Sequence, residues 1–434
     1  MTSSANDHRP QRPRQAGAHP APPAPRVRRP GRASLHALPP LAVALSALAL
    51  ISCVGAAGRP GAAGQSGGRS PAAPTTDASG SAGSPSAVTS PAALPNLTPA
   101  QKAGQRVIYS YSGLQPPATL LSWIRHGQVG GVIFFGGNIS SPAQIAGVIK
   151  QLDQANASAA NPLRAVPLLL MTDQEGGVVR RLPGRPFASE KQIGEEAHPA
   201  AAAKAAGTGA GQNLAGVGMN VNLAPVLDVY RTAGDFDDQF GRSYSTSPQV
   251  VSALGADFIK AQQATGVAAT AKHFPGLGAA SSTQDTDARP VTLNVGLHAL
   301  RTIDEYPYRA AIAAGVKLVM VSWAVYPALA RGTPAGLSSA IVNGELRNRL
   351  GFRGVTITDA LEAGALQAFG TTGHRATLAA RAGMDLILCS GQRASQGRLA
   401  RSALATALSS GALSASVFDA ALTRVIALRT GLRG

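Results

Sequence analysis

The chain has 434 residues, of which 44% are hydrophobic and 14% are charged, a balance that allows a large folded core. The net charge of +17 comes mainly from arginines scattered along the chain. There is no extended Lys/Arg run with interleaved aromatic residues, so a nucleic-acid-binding groove is not expected. Two cysteines, Cys53 and Cys389, are too few for a disulfide framework.

The first segment has the pattern of an export leader. Residues 41–51 form an apolar run of signal-peptide length, too short to span a bilayer as a helix, and an Arg/Pro-rich segment precedes it. Residues 50–53 (LISC) fit a bacterial lipobox, in which the cysteine is lipidated and becomes the mature amino terminus. We predict a leader over 1–53, a lipid anchor on Cys53 and an extracytoplasmic location at the membrane. The alternative is an ordinary signal peptide with a chance cysteine, and hence a secreted protein.

The next segment, residues 54–95, consists almost wholly of Gly, Ala, Ser, Pro and Thr. Such a composition cannot bury enough apolar surface to offset the entropy of the chain. We therefore predict a flexible linker over 54–95, followed by one catalytic domain over 96–434.

The domain begins with a helix signal and continues with a regular alternation. Thr98 can cap a helix, Pro99 suits its first position, and Gln101 completes a capping box. Eight short apolar runs then alternate with Ala-rich helical stretches. The runs are residues 107–111, 130–135, 167–171, 219–224, 267–271, 317–323, 354–358 and 384–389, and a last helix is predicted over 413–432.

The eight runs predict the fold class. Parallel strands that are buried on both faces give continuous apolar runs rather than alternating ones, so Cys389 in the eighth run is predicted to be buried. Eight strands separated by helices are the count of an α/β protein of the (β/α)8 TIM barrel type. A doubly wound sheet fits the alternation as well, but no G-x-G-x-x-G follows the first run, which favours the barrel.

Polar residues cluster directly after several runs. The third run leads into 172–177 (TDQEGG), the fourth into Asp228, the fifth into 272–276 (KHFPG) and the seventh into 358–360 (TDA). In a barrel, all of these positions lie at the carboxyl ends of strands, where active sites of this architecture are built. Four strand ends that carry Asp, Lys and His predict an active site at this rim.

The residue types limit the chemistry. The sequence has no metal-ligand spacing, no Walker-type phosphate loop and no G-x-S-x-G elbow, so neither a metal nor a cofactor is predicted. Carboxylates surrounded by Lys, Arg and His suit sugar binding, with one carboxylate attacking the anomeric carbon.

Five strings carry a resemblance to a known family: residues 173–177 (DQEGG), 222–228 (NLAPVLD), 241–244 (GRSY), 272–276 (KHFPG) and 358–361 (TDAL). The chain resembles glycoside hydrolase family 3, and more narrowly its single-domain β-N-acetylglucosaminidases of peptidoglycan recycling, here of the actinobacterial lipoprotein type. The resemblance runs from about residue 97 to the carboxyl terminus. It implies a TIM barrel, a carbohydrate substrate and a covalent glycosyl-enzyme.

The resemblance also implies a role for each matching residue. Asp359 matches the family's nucleophile, with a helix-capping aspartate as the alternative. Asp173 matches a residue that accepts hydrogen bonds from sugar hydroxyls. Further substrate-binding positions of the family match Arg181, Arg242, Lys272 and His273. Because Arg180 is adjacent to Arg181, either arginine fits the first of these positions. His273 is expected to be partly a packing residue. Asp228 is expected to orient the lysine or an arginine rather than touch sugar.

The match breaks at the general acid/base. The family's recycling enzymes have Lys-His-Phe-Pro-Gly-His-Gly and then an Asp-x-His pair on a mobile loop. Here the second histidine is Leu277, and Asp285-Thr286-Asp287 stands where Asp-x-His is expected. Asp287 is the positional substitute for the acid, and Asp285 is expected to keep it protonated. Glu175 is the second candidate, and an acid from a partner chain is a further possibility.

The function predicted from these residues is that of a retaining exo-β-glycosidase, most simply a β-N-acetylhexosaminidase that acts on peptidoglycan-derived sugars outside the membrane. Two alternatives remain open. One is a glycoside phosphorylase, because a site without a strong general base can use phosphate in place of water. The other is a tethered sugar-binding lipoprotein that has lost catalysis.

Overall fold

The structure is a computed structural model, and it describes residues 96–432. The predicted leader (1–53), with its lipidation site Cys53, and the predicted linker (54–95) lie outside the described residues. No helix in the described range is both long and apolar enough to cross a membrane.

Eight parallel strands form one curled sheet in which each strand pairs with the next along the chain. They are Val107–Tyr109, Gly131–Ile133, Leu169–Thr172, Val221–Asn222, Ala268–Phe274, Leu318–Val321, Val355–Thr358 and Ile387–Leu388. The eighth strand pairs with the first through Val107 and Ile387, and a parallel bridge between Ile357 and Leu386 joins it to the seventh. The predicted (β/α)8 barrel is confirmed, and a doubly wound open sheet is excluded.

Six of the eight strands fall within the predicted apolar runs, whereas the third ends at Thr172 and the fifth at Phe274, both beyond their runs. Seven strands are shorter than their predicted runs. In most of them, hydrogen-bonded pairing with the neighbouring strands ends before the run of apolar residues does. The fifth strand, predicted over 267–271, instead continues to Phe274 and includes Lys272 and His273. Apolar patterning could not predict this extension, since both added side chains are polar.

The helices surround the sheet. They span Pro99–Gly104, Ala118–Arg125, Pro142–Asn156, Glu190–Glu195, Pro199–Ala215, Phe236–Gln239, Pro248–Gln263, Leu297–Ala299, Tyr306–Ala313, Thr372–Ala382, Ala394–Ser409 and Ala415–Gly431; π-helical turns span Leu300–Asp304 and Ala340–Arg349, and 3-10 turns span Gly136–Asn138, Ala335–Leu337 and Gly364–Phe369. The predicted capping box is present: the Gln101 amide donates to Thr98 Oγ1 at 3.3 Å, and the Thr98 amide donates to Gln101 Oε1 at 3.0 Å.

Two apolar layers hold the barrel together. Alternate strand residues fill its interior, among them Ile108, Met171, Met320 and Ile357, each at most 3% exposed. The neighbouring strand residues point outward and pack against the Ala-rich helices, and the predicted buried Cys389 belongs to this outer layer. A barrel filled in this way is a packed core and not a pore, so substrate can reach only its ends.

The amino-terminal end of the barrel is closed by polar and apolar contacts. Asp385, fully buried, accepts hydrogen bonds from Arg347 at 2.5 Å and from Arg424 at 2.8 Å. Leu97 packs there with Leu163 and Leu422. These contacts stabilise the fold, and the opposite end is left for the site.

Candidate active site

A cavity of about 800 Å³ opens at the carboxyl ends of the strands. All seven side chains predicted to form the site line it: Asp173, Arg181, Arg242, Lys272, His273, Asp287 and Asp359. These seven residues come from four of the eight βα units, so the fold brings together residues nearly 190 positions apart. Their individual roles stay predictions.

The extended fifth strand supplies two adjacent residues to the cavity. In a regular strand, successive side chains point to opposite faces. Here the pairing with the sixth strand shifts register between Ala271 and Phe274, and Lys272 and His273 both line the cavity. Irregularities of this kind re-aim side chains next to active sites.

Glu175 is the centre of a buried ion-pair network on one cavity wall. Lys272 Nζ lies 2.7 Å from Glu175 Oε1 and 2.9 Å from Asp173 Oδ1. The Arg242 guanidinium donates two hydrogen bonds of 2.9 Å to the two oxygens of Glu175. Burial by itself would raise the pKa of Glu175, but the charges of Arg242 and Lys272 outweigh it and lower that pKa to about 2.

The network argues against Glu175 as the general acid. A carboxyl group with a pKa of about 2 is ionised at any pH at which the enzyme would work, and it has no proton to donate. It lies instead between two cations and holds Lys272 and Arg242 in place at the cavity wall.

Asp228 contacts the histidine, whereas the sequence suggested that it would orient a lysine or an arginine. His273 Nδ1 lies 2.7 Å from Asp228 Oδ2, and the Leu277 amide donates to Asp228 Oδ1 at 2.6 Å. Burial, reinforced by the nearby Arg242 charge, lowers the pKa of His273 to about 4, so the ring is neutral. With Nδ1–H donating to Asp228, the other ring nitrogen is left as an acceptor.

Asp237 is a buried residue of the site that sequence reasoning missed. Its Oδ1 lies 3.4 Å from Arg242 NH1, and burial followed by the charge of Asp228 raises its pKa to about 7. The available signal was the acidic segment 235–238 just before Arg242.

Asp228, Asp237 and His273 place ligand-type atoms within 4.8 Å of one another, the arrangement in which a cation could be held. Their bonding argues otherwise. The oxygens of Asp228 already accept from His273 and from two backbone amides, and Arg242 adds a positive charge beside Asp237. The cluster is therefore a hydrogen-bond network behind the cavity.

Asp359 lies half-buried in the cavity wall directly after the seventh strand. Its Oδ1 accepts a hydrogen bond of 2.7 Å from the Ala360 amide. The next helical turn begins at Gly364 with Ala363 as its capping residue, so Asp359 is not a helix cap. Burial, followed by the charge of Asp287, raises the pKa of Asp359 to about 6. The group is ionised above that pH and can then act as a nucleophile.

Asp287, on the loop 277–290, also lines the cavity. The Asp287 amide donates to Asp285 Oδ1 at 2.8 Å, a turn that directs both carboxyl groups to one side. Partial desolvation, followed by the charges of Asp285 and Glu362, raises the pKa of Asp287. Leu277, at the position of the family's second histidine, is buried in the wall and offers no proton.

The structure distinguishes the two neighbouring arginines. Arg181 lines the cavity, and its Nε has no hydrogen-bond partner within the described residues. Arg180 instead donates to the Gly184 carbonyl at 2.6 Å and lies 5.0 Å from the ring of Phe187. Arg181 is therefore the one of the pair that can meet substrate.

Ser390 and Glu362 also belong to the site and were not predicted. Ser390 lines the cavity after the eighth strand, and its hydroxyl donates to Glu362 Oε1 at 2.7 Å. Nothing in the local sequence distinguished Glu362 from an ordinary surface glutamate, because its partners come from a different βα unit.

A barrel whose rim carries two carboxyl groups in one cavity, beside cations and hydrogen-bonding groups, is the arrangement of a hydrolase that acts on sugars. Residues 100–428 match the model of the glycosyl hydrolase family 3 N terminal domain. The chain therefore belongs to glycoside hydrolase family 3, and it is a glycoside hydrolase.

Similar proteins agree with this assignment. The chain is 46% identical, over 80% of its length and 97% of the relative, to an uncharacterized secreted glycosyl hydrolase of Arthroderma benhamiae. It is 32% identical to a beta-hexosaminidase of Xanthomonas oryzae pv. oryzae, over 65% of this chain and 82% of that one. A family 3 beta-N-acetylglucosaminidase from Paenibacillus sp. superposes with a TM-score of 0.72 at 36% identity, over 78% of this chain and 64% of that one.

Proposed function

We propose that this protein is a retaining exo-β-N-acetylhexosaminidase that acts on peptidoglycan-derived sugars through a covalent glycosyl-enzyme on Asp359. The observation that carries the proposal is the placement of Asp359, half-buried on the cavity wall with its pKa raised only to about 6. It is ionised at neutral pH and faces the space where a sugar would sit. The names of the Xanthomonas and Paenibacillus relatives support an N-acetylhexosamine as that sugar.

The polar side chains that line the cavity support sugar binding. Asp173 and Arg181 offer an acceptor and a donor for hydroxyl groups, and Lys272 is held with its ammonium group between two carboxylates. These groups are fixed by one another before substrate arrives, which lowers the entropy cost of binding.

A panel of nitrophenyl β-glycosides, assayed with and without phosphate, tests this function. We expect turnover of the N-acetylglucosaminide without phosphate and release of the β-anomer first, as seen by proton NMR. Turnover that requires phosphate would indicate a phosphorylase. Binding of the sugar without turnover of any glycoside would indicate a sugar-binding lipoprotein. Faster turnover of another glycoside would replace the N-acetylhexosamine assignment.

We further propose Asp287 as the general acid/base, and its substitution has a distinctive expected result. Asp287→Ala should lower kcat/KM on a β-linked disaccharide by about 10²–10⁴-fold, because a poor leaving group needs a proton. A nitrophenyl glycoside needs none, so its kcat/KM should fall less than about tenfold. The kcat on the nitrophenyl glycoside should fall more than kcat/KM, because hydrolysis of the glycosyl-enzyme needs a general base. Added azide should restore kcat, because azide attacks the glycosyl-enzyme without one.

The matched control is Ser282→Ala, at an exposed position of the same loop. The pH profile adds a second readout. The alkaline limb, which would report loss of the Asp287 proton, should disappear. The acid limb, set by ionisation of Asp359, should remain, because Asp287 is protonated and uncharged in the active state. Equal losses on both substrates, with an unchanged profile, would remove Asp287 from this role.

The proposed location is the outer face of the membrane, through a lipid on Cys53. The motif at 50–53 and the secreted Arthroderma relative support export. In a bacterial host that processes lipoproteins, Cys53→Ala should move the protein from the membrane fraction to the medium. Metabolic labelling with a palmitate analogue should mark the wild-type protein alone. A variant that stays in the membrane fraction to the same extent would contradict the anchor.

A further inference from the structure

The loop that carries Asp287 rests on the segment directly after the nucleophile strand. The Gly364 amide donates to the Asp287 carbonyl at 2.7 Å, and the Ala365 amide donates to the Thr286 carbonyl at 3.0 Å. Thr286 is buried between the two bonds. The backbone of Asp287 is thereby fixed relative to the seventh strand, which carries Asp359.

Gly364 allows this contact because it has no side chain. A Cβ atom at this position would lie 2.2 Å from the carbonyl oxygen of Ala288 and 2.4 Å from its carbonyl carbon. Gly364 is not among the glycines with positive φ, so alanine can adopt its backbone conformation. The three nearest atoms to such a methyl group all belong to the loop 277–290, which would have to shift to admit it.

Glu362 lies two residues earlier and is held firmly. Its carboxylate accepts hydrogen bonds from the Ser390 hydroxyl at 2.7 Å, from the Ser390 amide at 3.3 Å and from Gln396 Nε2 at 2.9 Å. Its charge is one of the causes that raise the pKa of Asp287. The other charged groups that act on Asp287 are Asp285, Arg242, Asp173 and Asp359.

We propose that the segment 362–365 is a seat for the acid/base loop, in which Gly364 and Glu362 are positioning residues that act through Asp287. Gly364 lets the loop close against the cavity, and Glu362 presents a fixed negative charge to the Asp287 carboxyl group. This inference rests on the proposed role of Asp287. It assigns two further residues, from a different βα unit, to the same proton transfer.

Gly364→Ala tests the seat. We expect its kcat/KM on a β-linked disaccharide to fall by at least about tenfold, with a smaller loss on the nitrophenyl glycoside, because a shifted Asp287 donates its proton less well. In the Gly364→Ala/Asp287→Ala double variant, the disaccharide rate should equal that of Asp287→Ala alone. The matched control is Gly147→Ala on the helix Pro142–Asn156, where a Cβ atom meets nothing within 4 Å.

Glu362→Gln provides a second readout. Losing the neighbouring negative charge lowers the pKa of Asp287, so the proton is lost at lower pH. The alkaline limb of the kcat/KM profile on the disaccharide should therefore shift down by about half a unit. In the Asp287→Ala background, the same substitution should leave the profile unchanged.

The outcomes separate the seat from the function on which it rests. If Asp287→Ala shows no leaving-group selectivity, the acid/base assignment fails and the seat fails with it. Two results would overturn the seat alone, provided that Asp287→Ala lowers kcat/KM more on the disaccharide than on the nitrophenyl glycoside. One is an equal loss of kcat/KM on both substrates in Gly364→Ala. The other is a loss in the double variant that equals the sum of the two single losses in free energy. Labelling of Asp359 by a 2-fluoro sugar checks that each variant keeps a folded site.

Discussion

Replacement of Asp359 by alanine is expected to lower kcat by about three to five orders of magnitude, or about 4–7 kcal/mol of transition-state stabilisation. The substitution removes the carboxylate oxygen that would bond to the anomeric carbon and form the glycosyl-enzyme in the proposed mechanism. The cations and acceptors of the wall remain, so the Kd for N-acetylglucosamine should change less than about tenfold. Pre-steady-state kinetics and isothermal titration calorimetry measure the two quantities.

Asp257→Ala is a matched control for this variant. Asp257 lies on the helix Pro248–Gln263 and forms a part-exposed ion pair with Lys204 at 3.6 Å. Its replacement should therefore change kcat and Kd very little. In the wild-type protein, a 2-deoxy-2-fluoro glycosyl reagent, in which fluorine replaces the 2-acetamido group, should label Asp359, as mass spectrometry of peptides would reveal. Label on a different carboxylate would transfer the nucleophile role to that residue.

The second large effect is expected from Glu175→Ala, and it concerns stability as well as rate. Glu175 is 1% exposed and pairs with Arg242 and Lys272, so its removal leaves two buried cations that have lost their main partner. Breaking a buried network in this way costs about 3–5 kcal/mol of folding free energy. Catalysis should fall as well, because both cations face the substrate cavity.

Chemical denaturation of Glu175→Ala measures this loss against two references. Asp419→Ala removes a carboxylate from a part-exposed pair with Lys102 at 2.8 Å and should cost no more than about 1 kcal/mol. Glu175→Gln keeps the shape and part of the hydrogen bonding, so its unfolding free energy should fall between those of wild type and Glu175→Ala. If Glu175→Ala matched Asp419→Ala, the network would be structurally dispensable.

Much of the barrel could be predicted from the sequence because parallel strands buried on both faces must be apolar. Each of the eight runs contains or overlaps its strand. The ends of the strands were less predictable, and the fifth strand shows why. Its last residues, Lys272 and His273, are polar because they face a cavity, and a pattern of burial alone assigns them to a loop.

The site shows a similar division. The rim and its seven lining residues followed from strand ends and family motifs. The pairing inside the site did not, because it depends on which side chains reach one another across the barrel. Asp228 lies against His273, and Glu362 meets Ser390 from the next βα unit. Both contacts join residues that are distant in sequence and have no local signal.

The packing of Leu97 at the closed end of the barrel has a practical consequence. Leu97 packs with Leu163 and Leu422, and Arg429 holds the Pro167 carbonyl nearby at 2.6 Å, where the third strand is about to begin. The polypeptide thus joins the barrel on the side away from the cavity mouth. A label attached at Asn96, which is exposed, would therefore lie at the closed end of the barrel, away from the cavity mouth.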